Sequence, residues 1–372
     1  MDERDQRAVD ILRELGSRPA VPFFEDGPAH YIQETLCALD LAFQRDAFGN
    51  IVTHHGKRSE SSNAPIAFVA HMDHPGFEII EKIEDGFVAR ALGGVPMASL
   101  VGSTSVLALA HDGRRLSAEI TPREGSERLV TVRLKSDAAL IPPAPVVFDL
   151  PDFVLDGDTI RMRALDDLAG CGSILAALER TVSDGAETDM FGVFTRAEEG
   201  GLYGARLLAE SGMLPKETLI VSVEASAVIP GVAQGEGPVV RTGDASYTFD
   251  AEAEQVLTDA ARRIKKRLPE FRSQRQLMSG GTCEATAFAV FGYRTTGLAF
   301  PLGNYHNATT SISDPDGGVA AEYIRLSDYL GGVDLIAEAA TGVSRDDASL
   351  IRERLGAVPD DVRRRMMDSA QF

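Results

Sequence analysis

PIAFVAHMDHPG, residues 65–76, is the stretch on which the reading of the fold turns. Ile66 to Ala70 form a short continuous apolar run, with none of the alternation of a half-buried strand, and polar residues follow at His71, Asp73 and His74. A strand apolar on both faces is one buried inside an α/β sheet, and the loop at its carboxyl end is where such sheets bind ligands. Upstream, Ala8, Ile11, Leu12 and Leu15 predict an amphipathic helix over 3–15, and a second helical pattern covers roughly 28–38.

Downstream the pattern changes and then returns. From about 78 to 157, FEIIEKI, FVARAL, STSVLALA and LVTVRLK alternate with Gly, Pro and Asp-Gly turn signals, and no long helix is evident. Helix and strand alternate again from RALDDLAGCGSILAALERTV (163–182), where Leu168, Cys171, Leu175 and Leu178 share a face and Asp166 and Asp167 stand at the helix start. The strand MFGVFTRAEEGG, the helix LYGARLLAE, the strand TLIVSVEAS, a helix at 251–268 and the strand GYRTTGLAFPLGNYH follow, with a final helix over roughly 318–341. The expected architecture is α/β, a mostly parallel sheet flanked by helices, with a small all-β domain inserted. Its parts are residues 1–77 and 158–344 for the α/β domain, 78–157 for the β-barrel-like insert and 345–372 for a charged helical tail.

Composition fits this outline. A chain of 372 residues exceeds what one core usually supports, and 44% hydrophobic with 25% charged residues is an ordinary globular balance. A formal net charge of −19 argues against nucleic-acid or anionic-membrane partners. Cys37, Cys171 and Cys283 are too few and scattered for a disulfide framework. The opening MDERDQRAVD lacks the apolar core of a signal peptide, and no apolar run reaches a membrane span, so a cytoplasmic location is expected.

Five segments carry a metal-type ligand just past an apolar strand or at a strand-to-helix junction: His71 with Asp73, Asp166 with Asp167, Glu198 with Glu199, Glu224, and His306. Taken singly, each has a plain reading as a cap, a turn or a surface group. Their joint placement at consecutive strand ends, which share one edge of the sheet, favours a common site. Two imidazoles with several carboxylates suit zinc, or cobalt or manganese. His54 and His55 read as solvated loop residues, His74 as a loop histidine, and Cys283, without a histidine to activate it, as no nucleophile.

HMD (71–73), ALDDLAGC (164–171), EEGGLYGA (198–205) and YH (305–306), in this order, resemble the tetrahedral, glutamyl-type aminopeptidase family of co-catalytic metallopeptidases, which includes members labelled endoglucanase. The likeness runs from about residue 1 to 343; FVLDGDTIRMRALDD (153–167) is similar to that family's return into its catalytic domain, and SGGTCEATAF (279–288) to its GGTD-type segment. The resemblance implies a metal-dependent exopeptidase fold and two divalent ions per chain, zinc first. In it Asp166 bridges the ions, His71 and Glu224 complete one site, and Glu199 and His306 the other. Glu198 is the general base acting on a metal-bridging water, and Asp73 holds the His71 ring. It also implies a homo-oligomer and a peptide or small-amide substrate.

Three departures bear on substrate rather than on metal. Glu224 stands where the family usually has Asp, Gly303-Asn304-Tyr305 replace Arg-Tyr-Ile before the last histidine, and Cys283-Glu284 fall where GGTDA has its Asp. The leading expectation is an aminopeptidase. A metal-dependent deacylase of small N-acyl substrates needs the same residues, and a non-catalytic metal-bound assembly module would not need Glu198; a carbohydrase is weaker, since metal binding already accounts for the paired acids.

Overall fold

The computed structural model describes residues 1–56, 64–136, 139–341 and 356–370. Helices α1 (Glu3–Gly16) and α2 (Asp26–Ala38) precede strands β1 (Phe43–Arg45), β2 (Ile51–Gly56) and β3 (Ile66–His71). Ala8, Ile11, Leu12 and Leu15 are all buried, and Asp2 caps α1 by accepting from the Asp5 N–H at 2.8 Å. Every residue of β3 is buried, as its unbroken apolar run requires.

Six strands follow: β4 (Gly76–Ile83), β5 (Gly86–Leu92), β6 (Thr104–Leu109), β7 (Arg115–Pro122), β8 (Leu129–Leu134) and β9 (Ala144–Phe148). They close into a barrel in the order β4-β5-β8-β7-β6-β9, filled by side chains such as Phe77, Ile79, Val106, Ile120 and Val132. Phe77 meets Phe148 edge to face at 5.8 Å, where the first and last barrel strands join.

The chain then forms β10 (Val154–Asp156), β11 (Thr159–Met162), α3 (Leu168–Ser183), β12 (Asp189–Thr195), α4 (Tyr203–Ser211), β13 (Leu219–Ala227) and β14 (Val239–Gly243). It closes with α5 (Ala251–Arg267), β15 (Gln274–Leu277), α6 (Glu284–Val290), β16 (Arg294–Leu302), β17 (Glu322–Arg325), α7 (Leu326–Thr341) and the tail helix α8 (Asp360–Ser369). Among the described residues no helix is long and apolar enough to cross a membrane.

The large sheet has the order β1-β2-β12-β3-β13-β16-β14-β15. Its two faces are separate cores. Ile66, Phe68 and Ala70 pack with α1, α3 and α7, whereas Ala67 and Val69 pack with α4 and α6, following the period-two alternation of a strand. The sheet expected to be mostly parallel is a mixed one, with four of its seven strand pairings parallel, β14 with β15 among them. β12, β3, β13 and β16 run parallel, but β2 is antiparallel to both β1 and β12, and β14 to β16. Residues 46–50 between β1 and β2 are too few for the crossover that parallel strands need.

Two further expectations are corrected. The final helix begins at Leu326, and residues 322–325 form β17, paired antiparallel with β11; the partner lies far away in sequence, beyond what local periodicity registers. His54 and His55 lie on β2, with His54 Nε2 2.7 Å from Asp189 and its ring against Phe191, not in a solvated loop. Of the expected tail, residues 345–355 and 371–372 lie outside the described residues.

Candidate metal centre

The parallel strands deliver their carboxyl ends to one edge. His71 ends β3, Glu198 and Glu199 follow β12, Glu224 lies in the carboxyl-terminal half of β13, and His306 follows β16. Asp166 comes to the same place from the N-terminal side of α3. Three groups of ligand atoms lie within 4.8 Å of one another: His71, Asp166 and Glu224; Asp166, Glu199 and His306; and His71, Glu198 and Glu199. Asp166 is shared, and its two oxygens diverge. Oδ1 lies 3.3 Å from His71 Nε2, and Oδ2 3.7 Å from His306 Nε2. Glu199 Oε1 lies 3.0 Å from His306 Nε2, and Glu198 Oε2 and Glu224 Oε2 each lie 3.8 Å from His71 Nε2.

Both imidazoles are fixed by their other nitrogen. His71 Nδ1 donates to the Asp73 main-chain carbonyl at 3.0 Å, and His306 Nδ1 to the Gly94 carbonyl at 3.1 Å. Each contact leaves Nε2 turned to the acids as the nitrogen free to ligate. Asp73 therefore acts differently from the expectation. Its carboxylate is 3.7 Å from His71 Nδ1 and instead accepts the main-chain N–H groups of Glu198 and Glu199, both at 3.0 Å. Asp167 caps α3 by accepting from Gly170 N–H at 3.0 Å.

The sequence did not disclose the remaining supports. Glu322, on β17, accepts from Leu165 and Asp166 N–H through Oε2 at 2.7 and 3.0 Å, and from His306 N–H through Oε1 at 2.9 Å. One buried carboxylate thus ties two distant segments of the site together. Glu25 accepts Ala197 N–H and ion-pairs with Arg196, bracing the loop that carries Glu198. His74 is buried; its Nδ1 donates to the Asp166 carbonyl at 2.7 Å and its Nε2 lies 3.0 Å from Asn307 Oδ1. The expectation of a plain loop histidine is thereby corrected: His74, three residues after His71, supports the Asp166 segment. Asn304, His306 and Asn307 all have positive φ, and Tyr305 stacks on His306 with ring centroids 3.7 Å apart. Such local strain concentrates at functional sites. At Gly303 a Cβ would lie 2.1 Å from the Tyr323 ring, so there is no room for a side chain there.

Electrostatically the site is an excess of buried acid. Burial pushes the Glu198 carboxyl well above the ordinary range against the opposing charge of His71, and burial raises Glu284 to about 8 and the Cys283 thiol to about 12. Cys283 is therefore no thiolate. Burial would also raise Glu199, but His306 beside it outweighs that and holds it down to about 2; burial works against the His306 charge, and Glu199 outweighs it, raising His306 to about 9. Asp166 Oδ1 is buried with no hydrogen-bond partner. An orphaned carboxylate oxygen between two imidazoles, amid further acids, is a donor set that fits divalent metal.

A small solvent-open cleft stands over these groups, lined also by Arg241, Met278, Gly280 to Cys283 and Tyr305. Residues 135–318 match the sequence model of the M42 glutamyl aminopeptidase family. The Acetivibrio thermocellus protein named "Putative aminopeptidase" is 25% identical over 285 residues, 71% of this chain and 81% of its own length. Among solved structures, the TET1 peptidase of Pyrococcus horikoshii, which assembles into a tetrahedron or a large octahedral shell, superposes with a TM-score of 0.73 at 23% identity, covering 90% of this chain and 99% of its own. An aminopeptidase of Desulfurococcus kamchatkensis gives 0.74 at 23% identity over 91% and 95%. These structural likenesses show the fold. With the family match they bear out the resemblance carried by the motifs.

Proposed function

We propose that this chain, a hydrolase of the M42 peptidase type by its motifs and by the match over residues 135–318, removes N-terminal residues from peptides at a centre of two divalent ions. The observation that carries the reading is Asp166, whose two oxygens face different histidines. One ion would be held by His71, Asp166 and Glu224 and the other by Asp166, Glu199 and His306, with zinc as the first candidate by the mix of imidazole and carboxylate. Such ions supply Lewis-acid stabilisation of the developing oxyanion and lower the pKa of water.

Glu198 is left for proton transfer. Its carboxylate, side by side with Glu199 but drawn to no histidine closer than 3.8 Å, takes the proton from the attacking water and returns it to the leaving amine. Burial that raises its proton affinity suits both halves of that task. Asp73 and Glu25 keep it there by holding the N–H groups of Ala197 to Glu199. By the likeness to shell-forming peptidases we further propose a homo-oligomer, working in the cytoplasm.

The test is metal content of the purified protein together with hydrolysis of aminoacyl and N-acyl amides, with Glu198→Gln alongside. Two ions per chain, aminoacyl cleavage abolished by chelator, and a loss of about 10²–10⁴-fold in Glu198→Gln with the ions retained are expected. Cleavage of N-acyl substrates alone would move the assignment to a deacylase. Undiminished hydrolysis in Glu198→Gln would refute the proton-transfer role.

A further inference from the structure

The two edges of β13 are covered to different lengths. Its ladder with β16 runs from Leu219 to Ala227, but its ladder with β3 stops at Ser222, paired with Val69. Successive residues of a strand turn their main-chain groups to opposite edges. Leu219 N–H bonds the Pro65 carbonyl on the β3 side at 2.8 Å, and Val228 N–H bonds the Leu302 carbonyl on the β16 side at 3.2 Å. Odd-numbered residues of β13 therefore face β3. Past Ser222, the N–H and C=O groups of Ala225 and Ala227 face an edge with no strand on it, and among the described residues they make no main-chain hydrogen bond there.

That edge lies in the cleft. Glu224, Ala225, Ser226 and Ala227 line it together with His71, Asp166 and Glu198, so the uncovered run starts beside a residue of the ion-binding set. Exposure rises along it: Ala225 is buried, Ser226 and Ala227 are partly buried, and Val228 is exposed. The way out from the acids thus follows β13 towards its carboxyl end. With side chains no larger than a hydroxymethyl, Ala225, Ser226 and Ala227 do not overhang the edge. At about 3.3 Å per residue, Glu224 to Ala227 spans roughly 10 Å, the length of about three extended residues. Unpaired main-chain groups in a cleft wall are groups that a hydrogen-bonding ligand satisfies.

We propose that a peptide substrate binds here by adding a strand to β13. Its N-terminal residue sits at the ions, and the chain beyond the scissile bond runs alongside Ala225 to Ala227 in the direction of β13, in line with the place β3 holds earlier along the strand. One substrate residue then donates its N–H to the Ala225 carbonyl and accepts the Ala227 N–H on its own carbonyl, the parallel pattern that Ala67 of β3 follows opposite Ile220. The proposal rests on the peptidase reading above and names its substrate class: extended peptides of three or more residues, held by their main chain.

The test uses the zinc-loaded full chain and kcat/KM for leucine release, with zinc content measured throughout. The substrates are Leu-Ala-amide, Leu-Ala-Ala-Ala-amide, and the longer peptide N-methylated at its third or at its fourth residue. The longer peptide should exceed the shorter by about 3–10-fold for each hydrogen bond gained. Methylation should cost a similar factor at one of the two positions and little at the other, since adjacent N–H groups of a strand face opposite edges. Ala227→Pro, which lacks the N–H, should shrink the length advantage by a similar factor, and the substrate series decides alone if that variant does not fold. Equal values for long and short peptides, equal effects of methylation at both positions, or a length advantage unchanged in Ala227→Pro would overturn the proposal and leave the peptidase reading standing. If no substrate is cleaved, the peptidase reading fails. Calorimetric binding of the same peptides with the alternating effect of methylation would then still support the strand edge, and binding without it, or no binding, would refute both.

Discussion

At the scale of single residues, Glu199 and His306 make the metal-free site a charged pair, with Nε2 and Oε1 3.0 Å apart. With His306 raised to about 9, its ring is protonated at pH 7, and Glu199, held to about 2, is ionised. A metal requires the bare Nε2, so binding must expel that proton. His71 is also raised well above the ordinary histidine range: burial works against its charge, but Glu198, Asp166 and Asp73 outweigh it, so it adds a second proton to the release. The sign follows directly. Affinity should weaken as pH falls below about 9, by about tenfold per pH unit for each proton displaced. Zinc titration by calorimetry in buffers of different ionisation enthalpy should show release of between about one and two protons at pH 7. A binding heat independent of the buffer would contradict the charged-pair description.

At the scale of elements, the barrel is not a bystander. The loop after β5 brings the Gly94 carbonyl to His306 Nδ1 at 3.1 Å, and Gly93, at φ +76°, lets the chain pass beside Glu199. A Cβ at Gly94 would sit 2.2 Å from Nδ1, closer than the ring can tolerate. Gly94→Ala should therefore lower zinc affinity by about 10–100-fold, the usual cost of losing a ligand's outer partner, while the melting temperature of the metal-free chain stays near that of the wild type. Unchanged affinity would mean that the barrel loop only covers the site. Which elements were legible in the sequence follows from where their signals lie. The apolar run of β3 and the capped, amphipathic α3 carry local patterns, so they and the ligands at their ends could be read directly. β17 has only four residues and owes its existence to pairing with β11, so Glu322 fell inside what looked like a helix. Gly94 matters only through His306, which the fold brings close, and nothing in its own neighbourhood of sequence marks it.

At the scale of the whole molecule, α7 is the last described element packed into the main core, through Tyr329, Val333, Ile336 and Ala339. Beyond it, α8 has no buried residue, and Val362, Met366 and Met367 are exposed. A ten-residue helix with none of its residues buried adds little to folding stability, because short helices draw their stability from tertiary contacts. Ending the chain at Thr341 should therefore leave the melting temperature within about 2 °C and the aminoacyl kcat/KM unchanged, as removal of unpacked surface generally does. Light scattering on both forms then separates two roles for the tail. Equal assembly masses would place the subunit contacts on the body, where the barrel and the α/β core are. A truncated chain reduced to a species near the single-chain mass, with its activity intact, would instead make the Val362–Met366 edge of α8 a contact between subunits, and would explain why a helix so apolar on one side is carried on the outside.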